Sequence, residues 1–232
     1  MCGRFTNKMT WEELHALYRA FLDDKAPLAT WKPKANIAPT TQIPVVRFIE
    51  GKRRIDLMRW GLVPSWSKEI GSFATFNARS DGCESKPTYR GAWKAGRRCI
   101  IPASSFFEWR KSDKQPFAIG LGNRGPMAFA GLWEEWTPPG AKELMPEALP
   151  LLSCTMITTD ANQLMTPIHD RMPVMIGDEN LDKWLGEEAA APEQIKTLLA
   201  PFPADRMTAW TVSKDVGNVK NQAMDLDHAV DE

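Results

Sequence analysis

The first two residues, Met1 and Cys2, place a thiol beside a potential new amino terminus. If Met1 is removed, Cys2 carries an α-amine and a thiol on adjacent carbons, with ordinary pKa values of about 7.7–8.0 and about 8.5. An aldehyde reacts with such a pair in two steps: the amine forms a Schiff base, and the thiol then adds to the same carbon and closes a thiazolidine ring. The alternative is that Cys2 is an ordinary small buried residue, and the dipeptide alone favours this alternative.

His169 lies in a short polar segment between Pro167 and Pro173, which suits a fixed acid or base that works near neutral pH. A histidine in a surface loop explains the same pattern equally well. His15 falls on a predicted amphipathic helix and His228 in an acidic tail, so His169 is the candidate if the protein uses a histidine.

Glu108 stands among large aromatic residues in Phe106-Phe107-Glu108-Trp109. If its side chain faces inward, poor solvation raises its pKa and makes it a proton donor at neutral pH. Strand alternation equally allows Glu108 to face water.

Asn77 and Arg79 are two residues apart in Phe76-Asn77-Ala78-Arg79, so on a strand they share one face. A guanidinium suits a phosphate, and an amide suits a carbonyl or a hydroxyl group. The pair alone is a weak signal.

The elements that position these residues belong to a chain of 232 residues that is 43% hydrophobic and 25% charged, as is typical of a soluble globular protein. No apolar stretch approaches the ~20 residues of a membrane span, and the start of the chain lacks a signal-peptide pattern. The four cysteines have no zinc-ligand spacing. We therefore expect no metal, no cofactor, no membrane contact and a reduced cytoplasmic setting.

The charge of the chain is balanced overall but divided between its halves. Residues 1–111 contain 20 Lys and Arg against 10 Asp and Glu, whereas residues 112–232 contain 9 against 19. The division predicts a basic face that meets a polyanion, and pairing between the two halves is the alternative. Interleaved aromatic residues favour single-stranded nucleic acid, in which phosphates bind cations and bases stack on rings. The interleaved segments are Trp31-Lys32-Pro33-Lys34, Arg59-Trp60, Trp66-Ser67-Lys68, Tyr89-Arg90, Trp93-Lys94 and Arg97-Arg98.

The hydrophobic pattern predicts one early helix and a series of strands. Thr10 and Glu13 form a capping-box pair, after which apolar residues recur at helical spacing at Leu14, Leu17, Tyr18, Phe21 and Leu22. Strands are predicted at residues 43–49, 54–60, 99–101, 106–110, 117–121, 127–133, 151–158 and 207–212, with a hairpin turn at 50–52 and a second helical stretch at 180–199, broken near Pro192. We expect one α+β domain over residues 1–224, with a mainly antiparallel, barrel-like β core and peripheral helices. Residues 225–232 are predicted to form a frayed acidic tail.

Several short motifs, in order along nearly the whole chain, resemble the SOS response-associated peptidase family, also described as abasic site processing proteins. They are Met1-Cys2-Gly3-Arg4, Asn36-Ile37-Ala38-Pro39-Thr40, Trp60-Gly61-Leu62-Val63-Pro64-Ser65-Trp66, Phe76-Asn77-Ala78-Arg79, Arg98-Cys99-Ile100-Ile101-Pro102-Ala103, Phe106-Phe107-Glu108-Trp109, Lys114-Gln115-Pro116-Phe117, Ile168-His169-Asp170-Arg171-Met172-Pro173 and Val216-Gly217-Asn218-Val219-Lys220-Asn221. One such motif means little, but this many in sequence is a specific signal.

The resemblance implies a protein that binds single-stranded DNA at an abasic site and attaches covalently to the ring-opened sugar aldehyde. It implies that Cys2 is the nucleophile, that Asn77 positions Cys2 or the sugar, that Glu108 is an acid or base, and that His169 assists ring opening and Schiff-base chemistry. DNA contacts are implied for Arg4, Asn36, Pro39, Trp66, Arg79 and Arg171. The implied setting is a monomer near the nucleoid, with the replication machinery as a further partner.

Two other functions compete with the cross-linking hypothesis. In the first, Cys2 is the nucleophile of a thiol peptidase or autopeptidase, assisted by a base such as His169. In the second, the chain is a non-catalytic binder of single-stranded nucleic acid that uses only its basic aromatic face. A free α-amine on Cys2 distinguishes these functions, because only the cross-linking chemistry requires it.

Overall fold

The strands of the chain form two sheets. The computed structural model describes residues 2–21, 31–71, 74–145 and 147–230. Within these residues the strands are β1 (Arg4–Asn7), β2 (Lys34–Ile37), β3 (Gln42–Ile49), β4 (Lys52–Trp60), β5 (Asn77–Arg79), β6 (Arg98–Ala103), β7 (Ser105–Trp109), β8 (Pro116–Leu121), β9 (Met127–Trp136), β10 (Leu151–Asp160), β11 (Arg171–Pro173) and β12 (Met207–Thr211). The helices are α1 (Trp11–Tyr18), α2 (Pro87–Lys94), α3 (Ala141–Leu144), α4 (Leu181–Leu185) and α5 (Pro192–Thr197), joined by short 3-10 turns.

Five strands of the larger sheet close on themselves. β10 pairs with both β4 and β9, and the ring is completed through β3 and β6. The short strands β5 and β11 continue along the second half of β10, beyond the pairing with β4. Only the pairings of β10 with β4 and β5 are parallel among the described strands. This architecture confirms the predicted α+β fold with a mainly antiparallel, barrel-like core.

The smaller sheet, in the order β12-β8-β7-β1-β2, is covered on both faces. Side chains alternate along its strands, so Phe106 of β7 enters the main core while Phe107 faces a second, smaller core. The smaller core is completed by residues that follow β12, among them Val216 and Leu226. The C-terminal segment therefore forms a layer of the fold.

The predicted frayed tail differs from what the structure shows at residues 225–230. Leu226 is buried, and the Asp227 carboxylate accepts a hydrogen bond from Ser105 Oγ at 3.0 Å and pairs with Lys8 Nζ. The indole nitrogen of Trp210 donates to the Asp227 carbonyl oxygen at 2.6 Å. These contacts hold the acidic segment on the sheet, because Asp227 pairs with the Lys8 cation and Leu226 packs in the smaller core. Residues 231–232 lie outside the described residues.

The early helix is confirmed but is shorter than its apolar pattern. The hydroxyl of Thr10 accepts a hydrogen bond from Glu13 N–H, and the Glu13 carboxylate accepts one from Thr10 N–H, which is the predicted capping box. Helix α1 ends at Tyr18, and Arg19 follows in the left-handed conformation with φ 48°. Leu22 lies outside the described residues.

The predicted strands and hairpin are confirmed, each within a few residues of its boundaries. The hairpin turn is Glu50-Gly51, with Ile49 paired to Lys52, and both turn residues have positive φ. The second helical stretch is two short helices, α4 and α5, separated by residues 186–191. The short strands β1, β2, β5 and β11 and the helices α2 and α3 were not among the predicted elements. None of the helices within the described ranges is both long and apolar enough to span a membrane.

Ion pairs between the two halves account for part of the charge division. Five cations of the first half, Lys8, Arg47, Arg53, Arg97 and Lys111, each pair with a carboxylate of the second half. The alternative interpretation of the charge pattern, pairing between the halves, is therefore correct for these residues. It leaves less free positive charge than the sequence suggested.

Candidate functional site

Cys2 lies where the two sheets meet. In the register of β1 with β7, Arg4 is opposite Phe107 and Thr6 is opposite Ser105, so the chain before Arg4 continues alongside Glu108. Phe5 fixes this strand in the core. The centroid of its ring lies 5.1 Å from the centroid of the Trp60 ring, in an edge-on contact. Replacing a fully buried Phe with Ala typically costs about 3–5 kcal/mol. The position of Cys2 therefore depends on β1 packing against the barrel.

Asn77 holds the backbone of Cys2. Its side-chain nitrogen donates a hydrogen bond to the Cys2 carbonyl oxygen at 2.7 Å, and both residues are buried. Asn77 is placed by β5, where it pairs with Met156 of β10, and its own carbonyl oxygen accepts a hydrogen bond from the Tyr89 hydroxyl at 2.9 Å. Asn77 Oδ1 is buried with no hydrogen-bond partner among the described residues. The Asn77 side-chain oxygen can therefore accept a hydrogen bond from a further group.

Glu108 faces inward, so the buried one of its two predicted orientations is correct. Its side chain lies on strand β7, and the residue is only 4% exposed. Burial raises the pKa of Glu108 from its ordinary 4.5 to about 7. At neutral pH this carboxyl is divided between its protonated and ionised forms, so it can both donate and accept a proton.

The thiol of Cys2 stays protonated at neutral pH. Its exposure is 0%, and burial, followed by the negative charge of Glu108, raises the pKa of the Cys2 thiol well above its usual range. The thiol hydrogen points to the Arg4 carbonyl oxygen, 3.7 Å from the sulfur. Any reaction of this sulfur as a nucleophile therefore requires removal of its proton as part of the step.

His169 is held at the end of a helical turn. Its backbone N–H donates to the Met165 carbonyl oxygen at 2.8 Å, and the turn is closed by Asn162, whose Oδ1 accepts from Met165 N–H at 3.0 Å. The side chain of His169 is mostly buried, and burial lowers the pKa of the imidazole. The neutral ring is therefore favoured at neutral pH.

The Nδ1 atom of His169 has a different partner in each protonation state. It lies 3.0 Å from the Arg171 backbone nitrogen and 2.9 Å from Asp170 Oδ1. The neutral ring accepts from Arg171 N–H, whereas the protonated ring donates to Asp170, because one nitrogen cannot do both. Asp170 in turn contacts Lys111 Nζ at 3.0 Å and contributes to raising the pKa of Glu108. His169 and Glu108 are therefore electrostatically linked through Asp170.

Two predicted DNA-contacting residues, Arg4 and Asn36, bind the C-terminal segment. The Arg4 guanidinium donates to Asn36 Oδ1 at 2.9 Å and to the Val216 carbonyl oxygen at 3.0 Å. Asn36 Nδ2 donates to the carbonyl oxygens of Val216 at 3.1 Å and Asn218 at 3.0 Å. The segment from Val216 to Asn218 is thus held through its backbone, and these two side chains position β1 and β2.

Arg171 is also occupied within the fold. It is buried, and its guanidinium donates to Asp160 Oδ1 at 2.5 Å and to the Thr158 carbonyl oxygen at 2.6 Å. This geometry ties β11 to the end of β10. Pro39, by contrast, is half-buried at the turn after β2, next to the exposed Thr40.

Trp66 and Arg79 are the predicted contacts that reach the surface. Trp66 is 66% exposed, and its indole nitrogen donates to the Pro87 carbonyl oxygen at 3.3 Å. Arg79 lies two residues after Asn77 on β5, so the strand runs from the buried site to the surface. We call Trp66, Arg79 and Asp81 the rim.

Most of the aromatic residues interleaved with cations are core residues, which corrects the sequence interpretation. Trp31, Trp60 and Tyr89 are buried, and Trp93 packs against the main core. Burying a large ring removes an extensive apolar surface from water, which favours a position in the core. Of the tryptophans in those segments, Trp66 alone is exposed in the described part of the chain.

A model of the SOS response associated peptidase (SRAP) family matches residues 1–219. The chain belongs to this family. Abasic site processing protein YoqW of Bacillus subtilis is 38% identical over 231 residues, covering 97% of this chain and 98% of that protein. Abasic site processing protein HMCES of Xenopus tropicalis is 31% identical over 224 residues, covering 82% of this chain and 64% of that protein.

Solved structures share the SRAP chain's fold. A crystal structure of a protein from Bacteroides thetaiotaomicron superposes with a TM-score of 0.84 at 23% identity and covers 99% of this chain and 100% of that one. A protein from Bordetella bronchiseptica has a TM-score of 0.74 at 26% identity, over 91% and 100% of the two chains. At 23% identity, the structure from Bacteroides thetaiotaomicron shows a shared fold only.

Sequence reasoning missed several residues that complete this SRAP site. Asp170 directly follows His169, and Lys111 pairs with Asp170. Elsewhere, the side-chain amide of Gln222 forms hydrogen bonds with both the backbone N–H and the backbone carbonyl oxygen of Asn36. Asp170 directly follows His169 in one of the family-like motifs, and its position beside a candidate histidine is the signal available from the sequence. Lys111 and Gln222 had no local signal. Within the described residues, no group of three or more His, Cys, Asp and Glu is placed to hold a metal ion.

Proposed function

We propose that this protein recognises abasic sites in single-stranded DNA and joins them covalently through the α-amine and thiol of Cys2 after Met1 is removed. The observation that carries the proposal is the hydrogen bond from Asn77 Nδ2 to the Cys2 carbonyl oxygen, at 2.7 Å, beside the buried Glu108. It fixes the residue that bears both nucleophiles next to a carboxyl able to move protons. Family relatives named abasic site processing proteins support the DNA lesion as the target.

The reaction joins one aldehyde to one cysteine and releases one water. The α-amine adds to the aldehyde carbon of the ring-opened sugar, giving a carbinolamine, and loss of the hydroxyl group as water gives the Schiff base. The thiol sulfur then bonds to the same carbon, its proton leaves, and the imine nitrogen gains a proton. The product is a thiazolidine, and no oxidant or reductant is needed.

Each of these steps moves protons, and Glu108 is placed to move them. In its ionised form the carboxylate accepts the thiol proton, and in its protonated form it donates to the departing hydroxyl group. A pKa of about 7 makes both forms available at neutral pH. We assign to His169 the parallel role of opening the sugar hemiacetal, with Asp170 stabilising the protonated ring at 2.9 Å.

The raised pKa of the Cys2 thiol weighs against a thiol peptidase. Such enzymes use a thiolate, which a nearby cation or a histidine stabilises. Here burial and the charge of Glu108 both oppose the thiolate. A neutral thiol suits the second step of the proposed reaction, because the Schiff base carbon is already a strong electrophile when the sulfur attacks.

We assign the binding of the strand to the rim, with Trp66 stacking on a base and Arg79 pairing with a phosphate. Pro39 is a further candidate contact from its turn. Arg4, Asn36 and Arg171, predicted as contacts, have intramolecular partners, so we assign them to holding the strands that carry the site. A monomeric state, work beside the replication machinery and an association with the nucleoid stay predictions.

The test is denaturing gel electrophoresis after mixing the protein with single-stranded DNA that carries one abasic site. We expect a heat-resistant band of low mobility for the wild type and none for Cys2→Ala. Cys2→Ala and Cys2→Ser both keep the α-amine and lack the thiol, so each should form a Schiff base that borohydride traps, but no stable band without reductant. A stable band from Cys2→Ala without reductant would refute the proposed chemistry. Mass spectrometry of the amino terminus checks that Met1 has been removed from each preparation.

A further inference from the structure

Arg79, the rim cation, is bound to a carboxylate in a two-point contact. Its Nε donates to Asp81 Oδ1 at 3.0 Å and its Nη2 donates to Asp81 Oδ2 at 3.0 Å. The side chains are 52% and 62% exposed, so the pair stands in water at the edge of the site. Two parallel N–H donors facing two oxygens form the same arrangement that a guanidinium uses to bind a phosphate.

Further carboxylates surround Arg79. Asp160 and Asp170, in addition to Asp81, interact electrostatically with the Arg79 guanidinium. Each of these two is exposed and has a cation of its own, since Asp160 pairs with Arg171 at 2.5 Å and Asp170 pairs with Lys111 at 3.0 Å. The surface beside the buried site is thus a set of neutral ion pairs, whereas a surface made only for phosphates would carry excess positive charge.

Phosphate and Asp81 compete for the same edge of Arg79. The Nε–Nη2 edge of the guanidinium can face one oxyanion in the two-point geometry at a time. An incoming strand must either displace Asp81 or approach Arg79 while the Asp81 carboxylate repels it. Both routes weaken the binding of any phosphate, whether or not a lesion is present.

We propose that Asp81 is a specificity-determining residue that occupies the phosphate-binding edge of Arg79 and so lowers affinity for undamaged single strands. The inference rests on the proposed function, because it requires that Arg79 meets DNA. Its consequence is that stable attachment depends on the aldehyde, since reversible binding to intact DNA is kept weak. A protein that reaches its target among a large excess of undamaged strand gains from short-lived contacts with that strand.

The experiment compares the wild type with Asp81→Asn, which keeps the shape of the side chain and removes its charge. Fluorescence anisotropy with an undamaged labelled oligonucleotide should give tighter binding for Asp81→Asn, by up to about fivefold at low salt, the range of an exposed ion pair. The gain should shrink as salt is added. In the Arg79→Ala background, Asp81→Asn should give a smaller gain, because the edge for which Asp81 competes is gone.

A matched control is Glu50→Gln, which removes one negative charge from another exposed ion pair, Glu50 with Arg54 at 3.9 Å. Glu50 lies at the hairpin tip of β3 and β4, at the opposite end of β4 from the residues that pair with β10, the strand that also pairs with Arg79 of β5, and should not change the affinity. With excess undamaged competitor, Asp81→Asn should cross-link an abasic strand up to about fivefold more slowly than the wild type. Without competitor it should not be slower.

Unchanged or weaker binding by Asp81→Asn would overturn the inference, and weaker binding would mean that Asp81 orients Arg79 toward the phosphate. An equal gain from Glu50→Gln would also overturn it, since the effect would then be one of overall charge. A wild type that shows neither salt-dependent binding nor cross-linking overturns the proposed function and this inference together. If the wild type cross-links but Asp81→Asn does not change the affinity, only this inference fails and the proposed function is not refuted.

Discussion

The buried residues around Cys2 and the exposed residues of the rim differ in how they meet water, although one strand connects them. On β5, Asn77 is buried and donates to the Cys2 carbonyl oxygen, while Arg79 projects into solvent and binds Asp81. The buried group is held by packing and by hydrogen bonds that have no substitute in water. The rim is held by ion pairs, which water and salt can replace at little cost.

This difference separates two tasks. Burial shifts the pKa values of Glu108, His169 and the Cys2 thiol, and such shifts control proton transfer. Exposure leaves the Trp66 ring, and the Arg79 guanidinium once its pairing with Asp81 is broken, accessible to a strand of any sequence. Changes in the buried group should therefore alter the rate of reaction, and changes in the rim should alter affinity and its dependence on salt.

The largest effect is expected from the acid and base residues. Glu108→Gln and His169→Ala should each slow cross-linking by about 10²–10⁴-fold, because a positioned acid or base contributes about that much. The final yield and the affinity for undamaged strands should change little. Single-turnover kinetics and binding, measured on the same preparations, check this. If a variant cross-links at the wild-type rate across the pH range, the substituted residue has only a structural role. If a variant loses affinity in proportion to its loss of cross-linking, the residue belongs to the binding surface.

Matched controls for these variants exist in the same fold. Glu134 is as buried as Glu108 but pairs with Arg97, and His15 lies on α1 with its Nδ1 2.9 Å from the Trp11 carbonyl oxygen. Glu134→Gln and His15→Ala should leave the rate of cross-linking unchanged at saturating DNA. A loss of rate in these controls would indicate a general effect of the substitutions on the fold.

The next effect concerns stability and pH. The pKa of Glu108 is raised from 4.5 to about 7 in the folded protein, so between these values the folded state binds more protons than the unfolded state. The contribution of Glu108 to the free energy of unfolding therefore falls as pH rises through this window, by up to about 3 kcal/mol. Relative to wild type, Glu108→Gln should gain stability from pH 5 to pH 8. Urea unfolding at both pH values measures the difference, and an equal difference at both would contradict the assigned pKa.

A smaller effect is expected from the rim. Trp66→Ala and Arg79→Ala should weaken binding to undamaged single strands, by about 1–3 kcal/mol for the stacked ring. Affinity of the wild type should fall steeply with salt, and Arg79→Ala should reduce that slope by about one. Both variants should cross-link at the wild-type rate once the DNA is saturating. Affinity that does not depend on salt would contradict the assignment of phosphate binding to the rim.

The smallest effect is expected where the C-terminal segment meets β2. Asn36→Ala removes the acceptor of Arg4 and two donated hydrogen bonds, which should lower the free energy of unfolding by about 1–3 kcal/mol. Asn123→Ala, in an exposed turn where Oδ1 accepts from Gly125 N–H, is the matched control and should cost less. If Asn36 instead contacts DNA, its variant should lose affinity with little loss of stability.

The sequence predicted the fold well wherever a pattern repeats over many residues. The long strands β3 and β10 contain runs of branched apolar residues, β4 and β9 contain spaced apolar and aromatic residues, and α1 shows a capping box. The strands β1, β2 and β11 are three or four residues long, too short for a period, and exist because distant partners pair with them. For the same reason, the sequence suggested Cys2, Asn77, Glu108 and His169 as candidates, but it did not predict hydrogen bonds that depend on distant partners, such as the one from Asn77 to Cys2. Exposure was predicted least well, since charge alone did not reveal that Arg171 is buried in an ion pair.

The contacts of β1 with residues more than two hundred positions later also set an order of events during synthesis. Lys8 binds Asp227, 219 residues further along, and Arg4 binds the Val216 carbonyl oxygen, 212 residues further along. While the chain is still emerging from a ribosome, the strand that carries Cys2 lacks these partners. Cys2, the residue to which we assign the covalent chemistry, is thus made well before the residues that fix its strand in place. A nascent chain would thus acquire its complete site only after residues 216–227 have left the ribosome.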